Sequence, residues 1–385
     1  MKIMKKFIIL IFLVFFGLVV NAQQRCGTTD YTLQLMEKYP EYKLAKEKVN
    51  LETTRWLKNN PDHNLKSIIT IPVVVHVVWN TNAENISDAQ ILSQMDVLND
   101  DFRRTNSDAS NTPSVWQNIA ADCEIDFCLA TVAPNGASTT GITRTQTSQS
   151  SFSIGSDNVK SSSTGGIDPW PQDDYLNIWV CDLGGGLLGY ATPPSSWTNP
   201  NDGVVIGYRY FGTTGVVQAP YNKGRTATHE VGHWLNLPHT WGSTNEPGLL
   251  SNCGSDDGVA DTPNTIGSQW CNYNETTCGS HSNIENYMEY SSCRKMFTNG
   301  QKSRMRTALN SSVGGRNNLC SPTNLAATGI DVPPPFCQAD FFANSYISGL
   351  VTRNRSFQRC LYFPTISWAN YRHIWNCSYK RNIFT

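Results

Sequence analysis

Residues 229–239 read His-Glu-Val-Gly-His-Trp-Leu-Asn-Leu-Pro-His, and this stretch decides the fold prediction. On a helix, His229 and His233 stand one turn apart on the same face, so both imidazoles can reach one ion at about 2.0–2.1 Å. The carboxylate of Glu230 then lies beside that ion, where it can take a proton from a metal-activated water and pass it to the leaving amine. The stretch therefore predicts a hydrolytic zinc site.

The third predicted ligand is His239, six residues after His233. A continuing helix would carry His239 too far round, so we expect the chain to turn back near Asn236, and Pro238 supports a helix that has already ended. The turn requires a positive φ, which Asn tolerates best after Gly at a cost of at most about 1 kcal/mol. The alternative is that these are ordinary core or surface histidines, because His-Glu-x-x-His also occurs by chance in helices.

A second motif follows downstream, where residues 286–290 read Asn-Tyr-Met-Glu-Tyr and residues 296–301 read Met-Phe-Thr-Asn-Gly-Gln. A methionine among aromatic residues is by itself more typical of core packing. Together with the zinc motif, however, this set resembles the metzincin zinc peptidases, and within them the bacterial cytophagalysin-like (ulilysin-like) branch of the pappalysin family. The usual metzincin pattern has Gly where this chain has Asn236.

The resemblance implies an α+β metzincin fold, with a twisted, mostly parallel sheet, a backing helix and an active-site helix above a disulfide-stapled lower subdomain. In that fold Met288 is the methionine of the Met-turn below the metal, and the hydroxyl of Tyr290 helps to stabilise the tetrahedral intermediate. Glu230 acts as general base and then as general acid. The implied zinc ligands are His229, His233 and His239.

Twelve cysteines in an exported chain favour disulfides, and pairing cannot be deduced from spacing alone. Cysteines that bind a structural zinc are the competing interpretation, but no pair has the Cys-x-x-Cys spacing of such a site. The resemblance implies two bridges between the third ligand and the Met-turn. These are Cys253 with Cys278 and Cys271 with Cys293, and Cys123 with Cys128 is a candidate for a third.

The loop at residues 256–263 reads Asp-Asp-Gly-Val-Ala-Asp-Thr-Pro and offers several hard oxygen donors. Similar loops carry calcium in the cytophagalysin-like branch, which implies a structural calcium ion with Asp257 and Asp261 as the favoured ligands. Carboxylates in a turn are just as often solvated caps, and that alternative stays open.

The N-terminus has the pattern of a secretory signal peptide at residues 1–22, with three lysines before an apolar run at residues 7–20 and small residues before a cleavage site after Ala22. The apolar run is too short for a membrane anchor, which needs about 20 residues. We therefore expect a secreted protein without a membrane span. A net charge of −1 argues against nucleic acid as a partner.

Residues 23–60 are polar and charged, with helical amphipathic spacing from 31 to 56, and we interpret them as a pro-segment. Within it Arg25-Cys26-Gly27 resembles the cysteine switch, in which a pro-segment thiolate occupies the open zinc position. Cys26 is thus the latency candidate, although a disulfide partner or an ordinary free thiol is the alternative. Cleavage near Arg55 or Lys58 would release the segment.

The region from 61 to 322 is the predicted catalytic domain. Its first strand, residues 68–79, is a β-branched run typical of burial on both faces, in which His76 is structural. A capping box of Ser87 and Gln90 begins the backing helix, which runs through Arg104. Further strands are predicted at residues 176–181 and 204–210.

The glycine-rich residues 184–191 correspond to the upper rim of the cleft in the resembled family. An exposed strand edge there could take substrate as an added extended strand. The alternative is an ordinary glycine-rich loop.

Beyond the catalytic domain, residues 323–385 are predicted to be a linker and a C-terminal module too short to complete a β-sandwich.

These features together predict a secreted zinc-dependent endopeptidase that is made as a zymogen and cleaves extended protein segments. A catalytically inert, zinc-bearing adhesion or binding protein is the main alternative, and the intact Glu230 argues against it. An amidase acting on cell-wall peptide is a third interpretation. Some relatives hold an acidic residue after the Met-turn that selects basic side chains, whereas residues 291–295 here read Ser-Ser-Cys-Arg-Lys. For that reason no preference for a substrate side chain is predicted. The sequence gives no prediction of the oligomeric state either.

Overall fold

A six-stranded sheet lies at the centre of the protein, whose computed structural model describes residues 26–59, 67–197, 199–312 and 315–330. The strands are β1 (Ile69–Trp79), β2 (Ile125–Leu129), β3 (Ile142–Gln146), β4 (Leu176–Cys181), β5 (Gly189–Ala191) and β6 (Val204–Gly207). Their main order is β2-β1-β4-β6-β5, with β3 also paired to β1. All pairs are parallel except β5 with β6, so the predicted mostly parallel sheet is confirmed.

The first strand is the centre of this sheet because its β-branched side chains suit burial on both faces. It pairs with three neighbours, and almost its whole length is buried. His76 is fully buried within it, and its ring bonds Thr143 Oγ1 at 2.7 Å and Asn177 Oδ1 at 2.9 Å. Both ring nitrogens therefore have partners in the sheet, as expected for a structural histidine.

Helices cover both faces of the sheet. They are α1 (Thr28–Lys38), α2 (Pro40–Asn59), α3 (Asp88–Phe102), α4 (Ser114–Gln117), α5 (Arg225–Trp234), α6 (Asn299–Asn310) and α7 (Pro322–Ala327). On one face the backing helix α3 and the active-site helix α5 share a core with the sheet, through residues such as Leu98 and Val231. On the other face α1 and α2 place Tyr31 and Tyr42 against Trp179 of β4.

The predicted single amphipathic helix from 31 to 56 is in fact two helices. Tyr39 has extended backbone angles, φ −132° and ψ 91°, and α2 begins at Pro40. The proline ring disfavours helical angles at the preceding residue, which explains the break. After this break α1 begins at the cleft, where Thr28 meets Glu230, while α2 packs against α6.

The backing helix begins as predicted at Ser87, whose hydroxyl accepts from the Gln90 amide at 3.2 Å. The second half of the predicted capping box is wrong. The buried Gln90 side chain donates instead to the carbonyls of Tyr208 and Phe211, at 3.0 and 2.9 Å. A buried amide needs partners of its own, and these two loop carbonyls satisfy it and tie α3 to the loop before α5.

Disulfides staple the lower part of the molecule. Cys253 and Cys278 are bonded with a Cα–Cα distance of 5.3 Å, and Cys271 and Cys293 with 5.5 Å. The suggested pair of Cys123 and Cys128 is wrong, because Cys123 is a buried free thiol and Cys128 takes part in a different disulfide. Cys123 lies two residues before β2 and packs in the core that contains Leu98, whereas Cys128 lies within β2 and packs with Leu325 and Ile330.

Across the described residues, no helix combines the length and the apolar character needed to cross a membrane. The signal peptide predicted at residues 1–22 and the C-terminal module predicted after the catalytic domain lie outside the described residues, apart from residues 323–330. Residues 23–25 and 60 of the predicted pro-segment also lie outside them.

Candidate active site

Helix α5 carries His229, Glu230 and His233 into the interior below β5, and all three side chains are buried. The helix ends at Trp234, after which Asn236 adopts a φ of +77° and the Leu237 amide donates back to the Gly232 carbonyl at 3.0 Å. The positive φ predicted for Asn236 is confirmed. This turn reverses the chain and returns His239 to the face of α5 that carries the other two histidines.

The three imidazoles converge through their Nε2 atoms. His233 Nε2 lies 3.1 Å from Nε2 of His229 and 3.1 Å from Nε2 of His239. Each Nδ1 donates to a backbone carbonyl, from His229 to Tyr287, from His233 to Leu237 and from His239 to Thr244. Because these bonds place the ring proton on Nδ1, all three Nε2 lone pairs face a common point.

This arrangement fits a bound metal ion. Three lone pairs at such distances repel one another unless a cation lies between them, and tetrahedral ligands at about 2.05 Å from zinc would be about 3.3 Å apart. Burial lowers the pKa of all three histidines, that of His233 to about 3, so the rings are neutral and competent as ligands. The Sγ atom of Cys26 joins them, with all four ligand atoms within 4.8 Å of one another.

Glu230 lies beside this point, one residue after the first ligand. Its Oε2 atom accepts a hydrogen bond from Thr28 Oγ1 at 2.7 Å and one from Cys26 Sγ at 3.4 Å. Its Oε1 atom is buried and has no partner among the described residues. Burial raises the pKa of the carboxyl to about 7, in the range where a group can both accept and return a proton near neutral pH.

The floor of the site is Met288, which lies against Gly232. A Cβ atom at Gly232 would come within 2.5 Å of the Met288 Sδ atom, closer than real Cβ contacts allow. Sequence reasoning missed Gly232, which occupies a variable position of the zinc motif. The only sequence signal for this contact was the downstream Met288, which indicated that a side chain packs beneath α5. Gly232 therefore lets the Met-turn approach the helix directly below the two histidines.

Tyr290 lies at the side of the histidine cluster. Its ring centroid is 5.6 Å from that of His229 and 5.0 Å from that of His239. Its hydroxyl donates to Asn245 Oδ1, and the Asn245 amide donates to the Cys26 carbonyl at 2.8 Å. Sequence reasoning also missed Asn245, because a single Asn in a loop carries no signal of its own.

The predicted pro-segment enters the cleft at residues 26–28. The Gly27 amide donates to the Gly189 carbonyl at 2.8 Å, and Cys26 and Gly189 form a parallel bridge. The Ala191 amide donates to Thr28 Oγ1 at 2.8 Å. Within the glycine-rich rim, β5 is thus an edge strand whose Gly189 already bridges Cys26 and accepts the Gly27 amide. Gly189 also has to be small, because a Cβ there would lie 3.0 Å from Cγ of Glu230.

The two aspartates predicted to bind calcium lie apart from this cluster and have protein partners. Asp257 accepts from the Val259 amide at 3.0 Å and from Thr262 Oγ1 at 2.8 Å. Asp261 accepts from the Gly300 amide at 2.8 Å and from Thr298 Oγ1 at 2.6 Å, where α6 begins. Both carboxylates thus bond to a turn or a helix start.

Comparison with known proteins places this geometry in a family. The family model of peptidases M43, described as pregnancy-associated plasma protein-A, matches residues 161–310. An extracellular metalloprotease of Arthroderma otae is 27% identical over 302 residues, 76% of this chain and 92% of that protein. The region matched by the family model contains the zinc motif and the Met-turn.

Solved structures give closer matches. Mature mirolysin of Tannerella forsythia in complex with a cleaved peptide is 47% identical, with a TM-score of 0.64 over 69% of this chain and 99% of that one. A mutant of promirolysin from the same organism is 42% identical, with a TM-score of 0.67 over 80% of this chain and all of that one. The larger share covered by the pro form indicates that the likeness extends into the pro-segment. By its converging histidines, its Met-turn and these likenesses, the chain belongs to the pappalysin family of metzincin zinc metallopeptidases.

Proposed function

We propose that His229, His233 and His239 hold the catalytic zinc of this secreted endopeptidase and that Glu230 is its general base. The protein is a zinc metalloendopeptidase made as a zymogen, and it acts on protein or peptide substrates. The assignment of the individual residues rests above all on one observation, the convergence of three Nε2 atoms whose rings are each hydrogen-bonded through Nδ1 to a backbone carbonyl. Zinc is the cation that such a three-histidine site with a neighbouring carboxylate favours.

In the active enzyme these residues have separate tasks. Bound zinc would polarise the scissile carbonyl and make water a nucleophile near neutral pH. Glu230 takes a proton from the attacking water at its carboxylate and returns it to the leaving amine nitrogen. Tyr290, once its hydroxyl leaves Asn245, donates to the oxygen of the former carbonyl as negative charge develops there.

The edge strand β5 is the proposed binding place of the substrate backbone. Its Gly189 already bridges Cys26 and accepts the Gly27 amide, which supports the use of the same edge by a substrate. Main-chain bonding of this kind needs no particular side chains and suits extended or unfolded protein segments. A cell-wall amidase has no specific support from this geometry, and the inert binding protein is not favoured, since Glu230 is intact and positioned.

The pro-segment, proposed to span residues 23–60, maintains latency through two contacts. Cys26 offers its sulfur to the site of the three histidines, which supports the cysteine-switch prediction. Thr28 adds a bond that sequence reasoning missed, because its hydroxyl donates to the Glu230 carboxylate at 2.7 Å. One pro-segment residue would thus block the metal while the other engages the general base.

The remaining assignments are also proposals. The extracellular relatives support export, and we propose that the signal peptide at residues 1–22 directs it. The catalytic domain is proposed to span residues 61–322, followed by a linker and a C-terminal module at 323–385. Calcium at Asp257 and Asp261 stays a prediction; a rise in melting temperature on adding calcium to chelator-treated protein would support it.

The decisive experiment measures casein hydrolysis by full-length protein that has been activated with trypsin, with the trypsin then inhibited. We expect activity in the wild type, its loss with a zinc chelator, and its recovery with added zinc. Glu230→Ala should remain inactive although metal analysis still finds zinc. The matched control is Asp96→Ala, which removes an exposed carboxylate from α3 and should stay fully active. Full activity of Glu230→Ala would exclude the proposed base.

A further inference from the structure

A buried carboxylate lies on the backing helix α3, one residue before the helix ends. It belongs to Asp101, of which only 3% is exposed. Asp101 does not line the small cavity that contains Glu230 and His229, and it is not part of the zinc motif or the Met-turn. Burying a carboxylate costs free energy unless its partners compensate for the lost water. The partners of Asp101 therefore indicate what it does.

The two oxygens of this carboxylate bond two different segments of the active site. Oδ2 accepts from Thr228 Oγ1 at 2.7 Å, and Oδ1 accepts from the Tyr287 hydroxyl at 2.6 Å. Thr228 precedes His229 on α5, and Tyr287 precedes Met288 in the Met-turn. Both side chains are fully buried, so the protein itself must satisfy their hydroxyls. Asp101 thus bridges the active-site helix and the Met-turn from a third segment of the chain.

This bridge spans the contact that orients the first proposed zinc ligand. The Nδ1 atom of His229 donates to the backbone carbonyl of Tyr287 at 2.7 Å, and this bond leaves Nε2 to face the other two histidines. The bond joins α5 to the Met-turn, so its geometry depends on how these two segments lie relative to each other. Asp101 bonds the residue before the donor and also the side chain of the acceptor residue. It is therefore placed to fix their separation.

Arg225 completes the cluster at the start of α5. Its Nη2 atom lies 3.6 Å from Asp101 Oδ1, and its Nη1 atom donates to Asp108 at 2.8 Å. The guanidinium carbon also lies 5.5 Å from the centroid of the Tyr287 ring. One buried cation thus faces both carboxylates, which offsets the cost of burying Asp101 and favours its role as an acceptor of two hydrogen bonds.

From this arrangement we infer that Asp101 is a positioning residue for the zinc site, and that it fixes His229 by bonding Thr228 and Tyr287 at once. The inference deepens the proposed zinc endopeptidase function and rests on it. Without the carboxylate, His229 would keep its nitrogen but would no longer be held in one orientation. Loss of a residue that orients a metal ligand lowers metal affinity about 10- to 100-fold.

The test compares trypsin-activated wild-type protein with Asp101→Asn, which keeps the size of the side chain but removes its charge and one acceptor oxygen. Zinc affinity is measured by competition with a chelator, well below the melting temperature of either protein. We expect it to fall about tenfold or more. At saturating zinc, kcat on a peptide should also fall, while KM stays within about twofold because Asp101 lies outside the cavity beside Glu230.

Tyr287→Phe removes one of the two hydrogen bonds and keeps the ring. It should lower zinc affinity about two- to tenfold, and it carries the test if Asp101→Asn does not fold. The combination of Asp101→Asn and Tyr287→Phe should cost less than the sum of the two single changes, because both break the same link. Full additivity would contradict a shared link between the carboxylate and the Met-turn.

The matched control is Met95→Ala, on the same helix. Met95 is apolar and buried in the core that α3 shares with α5, so its truncation destabilises the fold without removing a hydrogen bond from the cluster. It should lower the melting temperature but keep the wild-type zinc affinity and kcat. Unchanged zinc affinity in Asp101→Asn, or an equal loss in Met95→Ala, would overturn the inference while the endopeptidase stands. Failure of the wild-type protein to bind zinc would instead contradict the proposed function.

Discussion

Replacement of Gly232 by Ala tests how closely the Met-turn must approach the active-site helix. The new Cβ would lie 2.5 Å from Met288 Sδ, about 1 Å inside ordinary contact, and Met288 is fully buried. Overpacking of this kind in a core costs about 1–3 kcal/mol. For a domain of this size about 2–4 °C is lost per kcal/mol, so we expect the melting temperature to fall by about 2–12 °C.

The assay is thermal unfolding of the zinc-loaded protein, with zinc retention measured against a competing chelator. Gly254→Ala is the matched control, because a Cβ there meets nothing within 4 Å and its φ is not positive. A Met288→Ala background removes the atom that would clash. In the Met288→Ala background, Gly232→Ala should lower the melting temperature by less than it does in the wild type. Met288→Ala is itself destabilising, because it leaves a cavity. Equal melting temperatures for Gly232→Ala and Gly254→Ala would refute the packing argument.

Three further predictions concern latency and stability. The full-length Cys26→Ala variant should leak only slightly before trypsin treatment, because Thr28 still bonds the Glu230 carboxylate, and Cys26→Ala with Thr28→Val several-fold more. Equal leakage on a fluorogenic peptide would contradict a role for Thr28. Asn245→Ala removes the hydrogen bond to the Cys26 carbonyl, which is worth about 0.5–1.5 kcal/mol. Tryptic activation, followed as a time course, should therefore become a few-fold faster. An unchanged rate would count against this contact. Burial raises the pKa of Asp257 to about 7, so its contribution to stability is full below about pH 4 and is lost as the pH rises through 7. In calcium-free buffer Asp257→Asn should therefore reduce the fall in melting temperature between pH 5 and pH 8, and an unaltered pH profile would disprove the shift.

The residues whose positions follow from local spacing could be predicted from the sequence. Two histidines one turn apart, a third beyond a reversal and an Asn able to take a positive φ determine a site within eleven residues. The long strand β1 was equally clear, because its β-branched run has few other structural solutions. The family resemblance supplied Met288 and Tyr290, which spacing alone would have assigned to the core.

Contacts between distant segments could not be predicted. Thr28 meets Glu230 across 202 positions and Asn245 meets Cys26 across 219, and neither residue type is unusual in its local sequence. The same holds for Gly232, whose need to be small arises only when Met288 packs beneath it. The break at Tyr39 is different. It could have been predicted from Pro40, whose effect on the preceding residue is local.

Activation depends on how the pro-segment is held. Helices α1 and α2 bury Tyr31, Leu35 and Tyr42 against the body of the protein, and each such side chain contributes about 1.5–3 kcal/mol. The predicted cleavage sites, Arg55 and Lys58, are exposed and follow these anchors. A cut there would remove the tether and leave the proposed inhibitory peptide bound by its own affinity. While the segment is tethered, its effective concentration at the cleft is about millimolar. After the cut, only the concentration of free peptide in solution counts, so dilution after secretion would itself favour activity.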